Sequence, residues 1–169
     1  ELSRGKIETF SFVIDMNQLF EEYVGEFIKK EFNKDFEEIT LQDRDKYLVL
    51  NKIDKGVSKG RLFQMRPDIL IKNNSENYMV IDTKYKLLDL STKKLGVSQQ
   101  DLYQMFAYLE KYDCSNVVLL YPKQENEPLV ETDYLVEQNA IIKVRNIDLC
   151  RDIKAENKEL REDLNKILN

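Results

Sequence analysis

The 169 residues are 42% hydrophobic and 34% charged, with a formal net charge of −5, the balance of a soluble globular chain long enough to bury a core. Histidine is absent, which excludes Ser-His-Asp and Cys-His nucleophilic sites, histidine-ligated zinc hydrolases and nucleases with a histidine base. The acidic balance argues against a nucleic-acid coat protein, whose affinity comes from neutralising phosphates. It leaves room for an enzyme with a local basic cleft, or one delivered to its substrate by a partner.

No apolar run approaches the ~18 residues of a membrane span, and no signal-peptide pattern opens the chain. Cys114 and Cys150 form neither a CxxC pair nor a disulfide framework, which fits a reducing cytoplasm. The chain opens on Glu1 rather than Met, as expected of a processed chain or a segment of a longer one. With no repeat, low-complexity tract or linker, residues 1–169 read as one domain, with a core over about 15–122 and peripheral strands and a helix over 123–169.

Residues 7–14 read as an extended lead-in. Asp15 with Gln18 three positions on has the pattern of a capping box. It opens a helix to about Phe32 whose apolar face is Met16, Leu19, Phe20, Tyr23, Val24, Phe27 and Ile28. Residues 46–53 and 61–65 read as strands around a Gly/Lys/Ser turn region. Residues 68–72 and 78–85 are two further strands, and the polar stretch 73–77 suits a hairpin loop. Ser98 and Asp101 form a second capping box, opening a helix striped with Leu102, Met105, Phe106 and Leu109. Residues 117–121 (VVLLY) are a continuous apolar run, the mark of a strand covered on both faces, and Pro122 ends it. Residues 129–136 and 140–145 suit two more strands. From about 148 a charged helix carries Leu149, Ile153, Leu160, Leu164 and Ile167. The order predicts an α/β fold with helices on a mixed sheet.

One stretch carries chemistry: RPDILIKNNSENYMVIDTKYK, residues 66–86. Side chains alternate along a strand, so Asp82 and Lys84 share one side while Ile81 and Thr83 take the other. Hairpin pairing brings Asp68 beside the end of the partner strand. Two carboxylates so placed repel unless a cation lies between them, and an oxygen-only ligand set suits Mg²⁺ or Mn²⁺ rather than zinc. The lysine positions an attacking water or stabilises charge developing on a phosphoryl group. Two acids, one lysine and a hard cation make a phosphodiester-hydrolysis kit. Taken singly, an Asp after Pro is commonly a turn residue, and an Asp-x-Lys a solvated surface pair. Glu21 lies on the flank of the first helix's apolar face, nearer the core than Glu22, although helix flanks carry Glu routinely. Gln104 and Tyr108, four apart, share a face of the second helix, where surface and core roles are the plain alternatives.

The combination RPDIL, VIDTKYK, YQMFAY and VVLLYP resembles the PD-(D/E)XK nuclease superfamily, of the RecB-like type whose following helix carries Q-x-x-x-Y. More closely it resembles the McrC-like nuclease domain of McrBC 5-methylcytosine restriction systems, through LFEEYV, RPDI, D-x-KYK, D-x-YQM-x-AY and the LLYP strand end. The resemblance covers residues 15–122. It implies a restriction-endonuclease-like fold and a Mg²⁺-dependent DNA endonuclease, with Mn²⁺ as substitute. By the same resemblance Asp68, Asp82 and the Thr83 carbonyl would hold the metal, with Glu21 helping directly or through water. Lys84 would act on the water or the scissile phosphate, Gln104 would orient it, and Tyr108 would brace Gln104. Lys86 would touch the DNA backbone, or serve as an ordinary surface lysine.

The iron–sulfur cysteines of some RecB-like relatives are missing, and the sizeable N-terminal region through which McrC subunits engage the GTP-driven AAA+ motor McrB does not precede the first helix. The expectation is that this region was removed, or that the chain is a stand-alone relative whose partner differs. The implied partners are DNA, an McrB-like motor, and a second copy for double-strand cleavage. A RecB-like exonuclease or structure-specific repair nuclease is the alternative within the enzyme class, and a non-catalytic docking module the alternative outside it. The basic stretch 52–61, with Lys93 and Lys94, is the place expected to neutralise phosphates.

Overall fold

A computed structural model describes residues 13–136, 140–149 and 156–169. Helix α1 (Met16–Phe32) begins where Asp15 accepts backbone bonds from Asn17 and Gln18. The Gln18 side chain does not return to the cap as a capping box requires; it donates to Glu22 Oε1 at 2.7 Å. The buried stripe is narrower than the apolar pattern, comprising Phe20, Val24, Ile28 and Phe32, with Met16, Leu19 and Tyr23 exposed.

The chain next forms β1 (Glu38–Leu41), a strand the sequence pattern does not announce, and later β6 (Ile69–Asn73), β7 (Glu76–Thr83) and β8 (Asn116–Pro122). Strands β9 (Glu131–Leu135) and β10 (Ile141–Ile147) complete a six-stranded mixed sheet of order β1-β6-β7-β8-β10-β9. Pairs β7·β8 and β8·β10 are parallel and the others antiparallel. The β6–β7 hairpin is tighter than expected. Asn74 and Ser75 both take positive φ, 52° and 62°, the requirement of a two-residue type I′ turn.

The parallel β7–β8 step requires a crossover, supplied by α2 (Gln99–Tyr112). Its capping box is complete, with Ser98 and Asp101 bonding each other's backbones. Its buried face is Met105, Tyr108, Leu109 and Tyr112, whereas Phe106 is exposed.

Alternation along the strands divides the core in two. Ile69, Ile71, Met79, Ile81, Val118 and Leu120 pack under α1 and α3 (Glu156–Leu168). Leu70, Val80, Val117, Leu119, Tyr121, Ile142 and Val144 pack under α2. The run 117–121 is therefore buried on both faces, and each such aliphatic side chain contributes about 1.5–3 kcal/mol. Leu160, Leu164 and Ile167 of the C-terminal stripe are buried as expected. The expected lead-in over residues 7–12 and Ile153 lie outside the described residues.

The stretches 46–53 and 61–65 do not join the central sheet. They supply β2 (Tyr47–Val49) with β5 (Leu62–Gln64), and β3 (Ile53–Asp54) with β4 (Val57–Ser58). The pairs share one register, Tyr47↔Gln64, Val49↔Leu62 and Ile53↔Ser58, and Lys52 bonds Gly60 and Lys59 between them. The result is a single two-stranded ribbon, closed by positive-φ Lys55 and Gly56. Among the described residues no helix is long and apolar enough to cross a membrane.

Candidate active site

The site forms where β6 begins and β7 ends. The register Ile69↔Ile81 brings the preceding Asp68 alongside Asp82. Val80 faces α2, so Asp82 does too. It is 2% exposed. The strand ends at Thr83, yet the Lys84 N–H still bonds Leu120 O at 2.9 Å. That bond keeps the backbone extended and returns the Lys84 side chain to the Asp82 side. The two meet with Nζ 2.5 Å from Asp82 Oδ2.

Helix α2 closes this group from above. Gln104 Nε2 donates to Asp82 Oδ1 at 3.1 Å, and Gln104 Oε1 accepts from Lys84 Nζ at 3.1 Å. One amide thus holds both ends of the ion pair. The same Nε2 donates to the Tyr108 hydroxyl at 3.0 Å. Burial, with the Asp82 charge second, holds the Tyr108 phenol above its ordinary value, so it stays a neutral brace.

Asp68 turns its carboxylate to the other side of Thr83. Its Oδ2 accepts from the Thr83 N–H at 2.6 Å and from Thr83 Oγ1 at 2.7 Å. Burial first and the Asp82 charge second push its pKa up to about 7, against those two bonds. Burial raises Asp82 as well, although Lys84 opposes it.

Glu21 is half-buried and lines a cleft of about 300 Å³ with Asp68, Gln42, Gly25 and Leu41; Glu22 also lines it but is exposed and bonded to Gln18. The flank position therefore sets Glu21 toward Asp68. Helix α1 approaches β1 closely here because residue 25 is glycine; a Cβ would meet the Leu41 side chain at 3.1 Å. Glu21 Oε1 accepts from Gln42 Nε2 at 2.6 Å, and Gln42 Oε1 in turn accepts from Arg66. Gln42 carries no signal in the sequence, and Arg66 opens the RPDI motif without a role of its own there. Gln42 sits in an unremarkable polar loop and acquires its place only because its N–H bonds Asp68 O at 2.8 Å.

Lys86 has partners within the protein. It pairs with Asp101 at 2.7 Å and lies 5.9 Å from the centre of the Tyr121 ring. Tyr85 packs on Phe20 with ring centres 5.8 Å apart. The buried Tyr121 hydroxyl has no hydrogen-bond partner among the described residues; its only sequence signal was its place in the LLYP strand end.

The donor chemistry fits a hard divalent cation. It is oxygen-only, the charge of buried Asp82 raises half-buried Asp68, and Asp82 Oδ2 has no aligned hydrogen-bond partner despite its close ammonium. Asp68 is held by Thr83 rather than aimed with Asp82 at a common point. Accordingly, no group of three Asp, Glu, Cys or His among the described residues forms a ready-made cluster.

Comparison with known proteins agrees with the motif reading. A chain in the refined half-complex from the tetradecameric assembly of Thermococcus gammatolerans McrB AAA+ hexamers with bound McrC superposes with a TM-score of 0.63 at 22% identity. That match covers 92% of this chain and 34% of the other, so the chain spans about a third of its length. At that identity the likeness speaks to the fold. No curated protein matches the sequence significantly. The family model for McrBC 5-methylcytosine restriction system components matches residues 1–122, well over half of the sequence, and the chain belongs to that family.

Proposed function

We propose that the chain is the DNA-cleaving part of a McrBC-type restriction system, a phosphodiester hydrolase of the PD-(D/E)XK kind working in the cytoplasm. The observation that carries this reading is the interlock of Asp82, Lys84 and Gln104 beside Asp68. A structural ion pair needs neither a second, half-buried carboxylate beside it nor an amide dedicated to both partners, and taking such acids out of water is costly.

Asp68 and Asp82 would hold Mg²⁺, or Mn²⁺ in its place, with the Thr83 carbonyl and Glu21 as supporting donors. Bound there, the cation would polarise the phosphate and activate water. Hydrolysis forms a bond from the water oxygen to phosphorus and breaks one P–O ester bond, the departing oxygen taking a proton. Lys84 places its ammonium where negative charge grows on the phosphoryl oxygens. Gln104 fixes the lysine's direction, and Tyr108 fixes Gln104.

The assembly of McrC with McrB AAA+ hexamers in the structural relative supports a GTP-driven, McrB-like motor as partner. A second copy of the nuclease would serve double-strand cleavage, since one site cuts one strand.

The test is nicking of supercoiled plasmid in Mg²⁺ or Mn²⁺ and in chelator, paired with calorimetric Mn²⁺ titration. Asp68→Ala and Asp82→Ala are expected to lose both cleavage and Mn²⁺ affinity while keeping the native circular dichroism spectrum. Unchanged metal affinity in both variants would sink the assignment.

A further inference from the structure

The ribbon β2–β5 has no part in the core. Residues 50–64 are exposed throughout, and they include Leu50, Ile53 and Phe63 at 68–70% exposure. Residues 46–61 hold Lys46, Lys52, Lys55, Lys59 and Arg61 against a single acid, Asp54. That is a local charge of +4 in a chain whose total is −5. Among the described residues none of these five cations pairs with a carboxylate; Arg61 instead lies 5.6 Å from the centre of the Tyr47 ring. Elsewhere the protein does pair its cations, as at Lys72–Glu38, Lys123–Asp148 and Arg145–Asp133.

The root of the ribbon adjoins the candidate site. Its returning strand runs through buried Met65 and exposed Arg66 into Asp68. Arg66 bonds Gln42, which bonds Glu21. On the outgoing side Asp43 is anchored to α2 by the Tyr112 hydroxyl at 2.7 Å. The ribbon is therefore rooted beside the cleft through Arg66 and Gln42, and on α2 through Asp43. Eight residues from Tyr47 to Asp54 reach about 25 Å at strand rise, twice the width of a major groove, which admits a two-stranded β-ribbon.

We propose that this ribbon is an arm that grips duplex DNA beside the site, its lysines and Arg61 contacting phosphates on either side of a groove. Charge complementarity decides for DNA over a protein partner. Burying four or five unpaired cations against a neutral protein face leaves them uncompensated, whereas each phosphate contact releases a counterion. The exposed apolar residues between them suit thymine methyl groups or a base step. The arm rests on the reading of the chain as a DNA-acting domain, and it supplies the duplex grip that an acidic chain otherwise lacks.

Binding is tested in chelator, so that no cleavage is needed and the outcome is independent of the proposed hydrolase. Anisotropy of a short fluorescent duplex is followed against KCl for the wild type and for the variant K52Q/K55Q/K59Q/R61Q. A control variant, K29Q/K30Q/K34Q/K158Q, changes charge equally away from the ribbon. The ribbon variant should lower the magnitude of the slope of log K against log salt by about 3–4, the value for four lost phosphate contacts, while the control lowers it by less than about 1. All substituted ribbon residues are exposed, and an unchanged melting temperature checks the fold. Equal losses in the two variants, or an unchanged slope in the ribbon variant, would overturn the proposal. So would loss of AAA+ partner capture by the ribbon variant with DNA binding intact, which would make the ribbon a protein-docking arm.

Discussion

At Lys84 three chemistries meet: an ammonium, the buried Asp82 carboxylate at 2.5 Å and the Gln104 amide. Because the lysine is not a metal ligand, Lys84→Ala should abolish cleavage and spare Mn²⁺ binding. Lys84→Arg should fail too, since a planar guanidinium cannot replace a compact ammonium held between an oxygen of Asp82 and one of Gln104. Full nicking activity in either variant would reduce the lysine to a structural charge. Gln104→Ala leaves the acids in place and frees the lysine, so cleavage should fall by about 10²-fold, the scale of one transition-state contact. A wild-type rate in single-turnover assays would remove Gln104 from the mechanism. Asp68 makes a thermodynamic prediction. In the fold its proton is held to about pH 7, against 3.8 for an ordinary aspartate. Between those values the unfolded chain binds fewer protons than the folded one, so stability falls as pH rises from about 4 to 7. Thermal melts in chelator should show that decline, and Asp68→Asn should lessen it, with raised Asp82 supplying the remainder; a decline unaltered in the variant would place its source elsewhere.

At the scale of elements, the site depends on how one helix starts. Gln104 reaches Asp82, with Tyr108 behind it, only because α2 begins at Ser98 and presents both on the face toward the strand ends. The Ser98 side chain accepts from the Asp101 N–H at 3.0 Å, while Asp101 accepts from the Ser98 N–H and pairs with Lys86. Ser98→Ala is expected to cost about 1 kcal/mol, or roughly 2–4 °C in melting temperature for a chain of this size. Differential scanning calorimetry checks it, and an unchanged melt would mean that packing of Met105, Leu109 and Tyr112 alone sets the helix. The cap was legible in the sequence because it is a local pattern of two residues. The extent of each apolar face was not. Leu19 and Phe106 carry the periodicity of core residues, yet the sheet covers only the width of stripe it can reach, leaving both exposed.

At the scale of the whole molecule, charge sets the limit. A chain of −5 is expected to bind duplex DNA weakly, because affinity depends on neutralising phosphates, and in-line attack needs the scissile phosphate held in register with the water. The isolated chain should bind DNA without sequence preference, lose it as salt rises, and nick slowly in Mn²⁺. Efficient double-strand cutting should require a motor partner that supplies recognition and brings two nuclease copies to opposite strands. Plasmid assays on methylated and unmethylated DNA, with and without that partner, read this out; rapid site-specific double-strand cleavage by the lone chain would refute it.

The sequence by itself determined what depends on local spacing. Alternation in IDTK set Asp82 and Lys84 on one side, the hairpin set Asp68 opposite, and the four-residue step put Gln104 and Tyr108 on one helix face. Those relations survive any packing that keeps the elements intact. Only the tertiary structure decided which partners closed around them. Strand β1, four residues long with no strong pattern, became a sheet member because β6 offered it an edge. Gln42 and Arg66 joined Glu21 because that strand returned the chain to the cleft, and Lys86 was committed to Asp101 across fifteen residues. The stretches 46–53 and 61–65 read as ordinary strands, since β-propensity does not say whether a strand finds a sheet. They pair with each other and leave the core, because β1 holds the edge of β6.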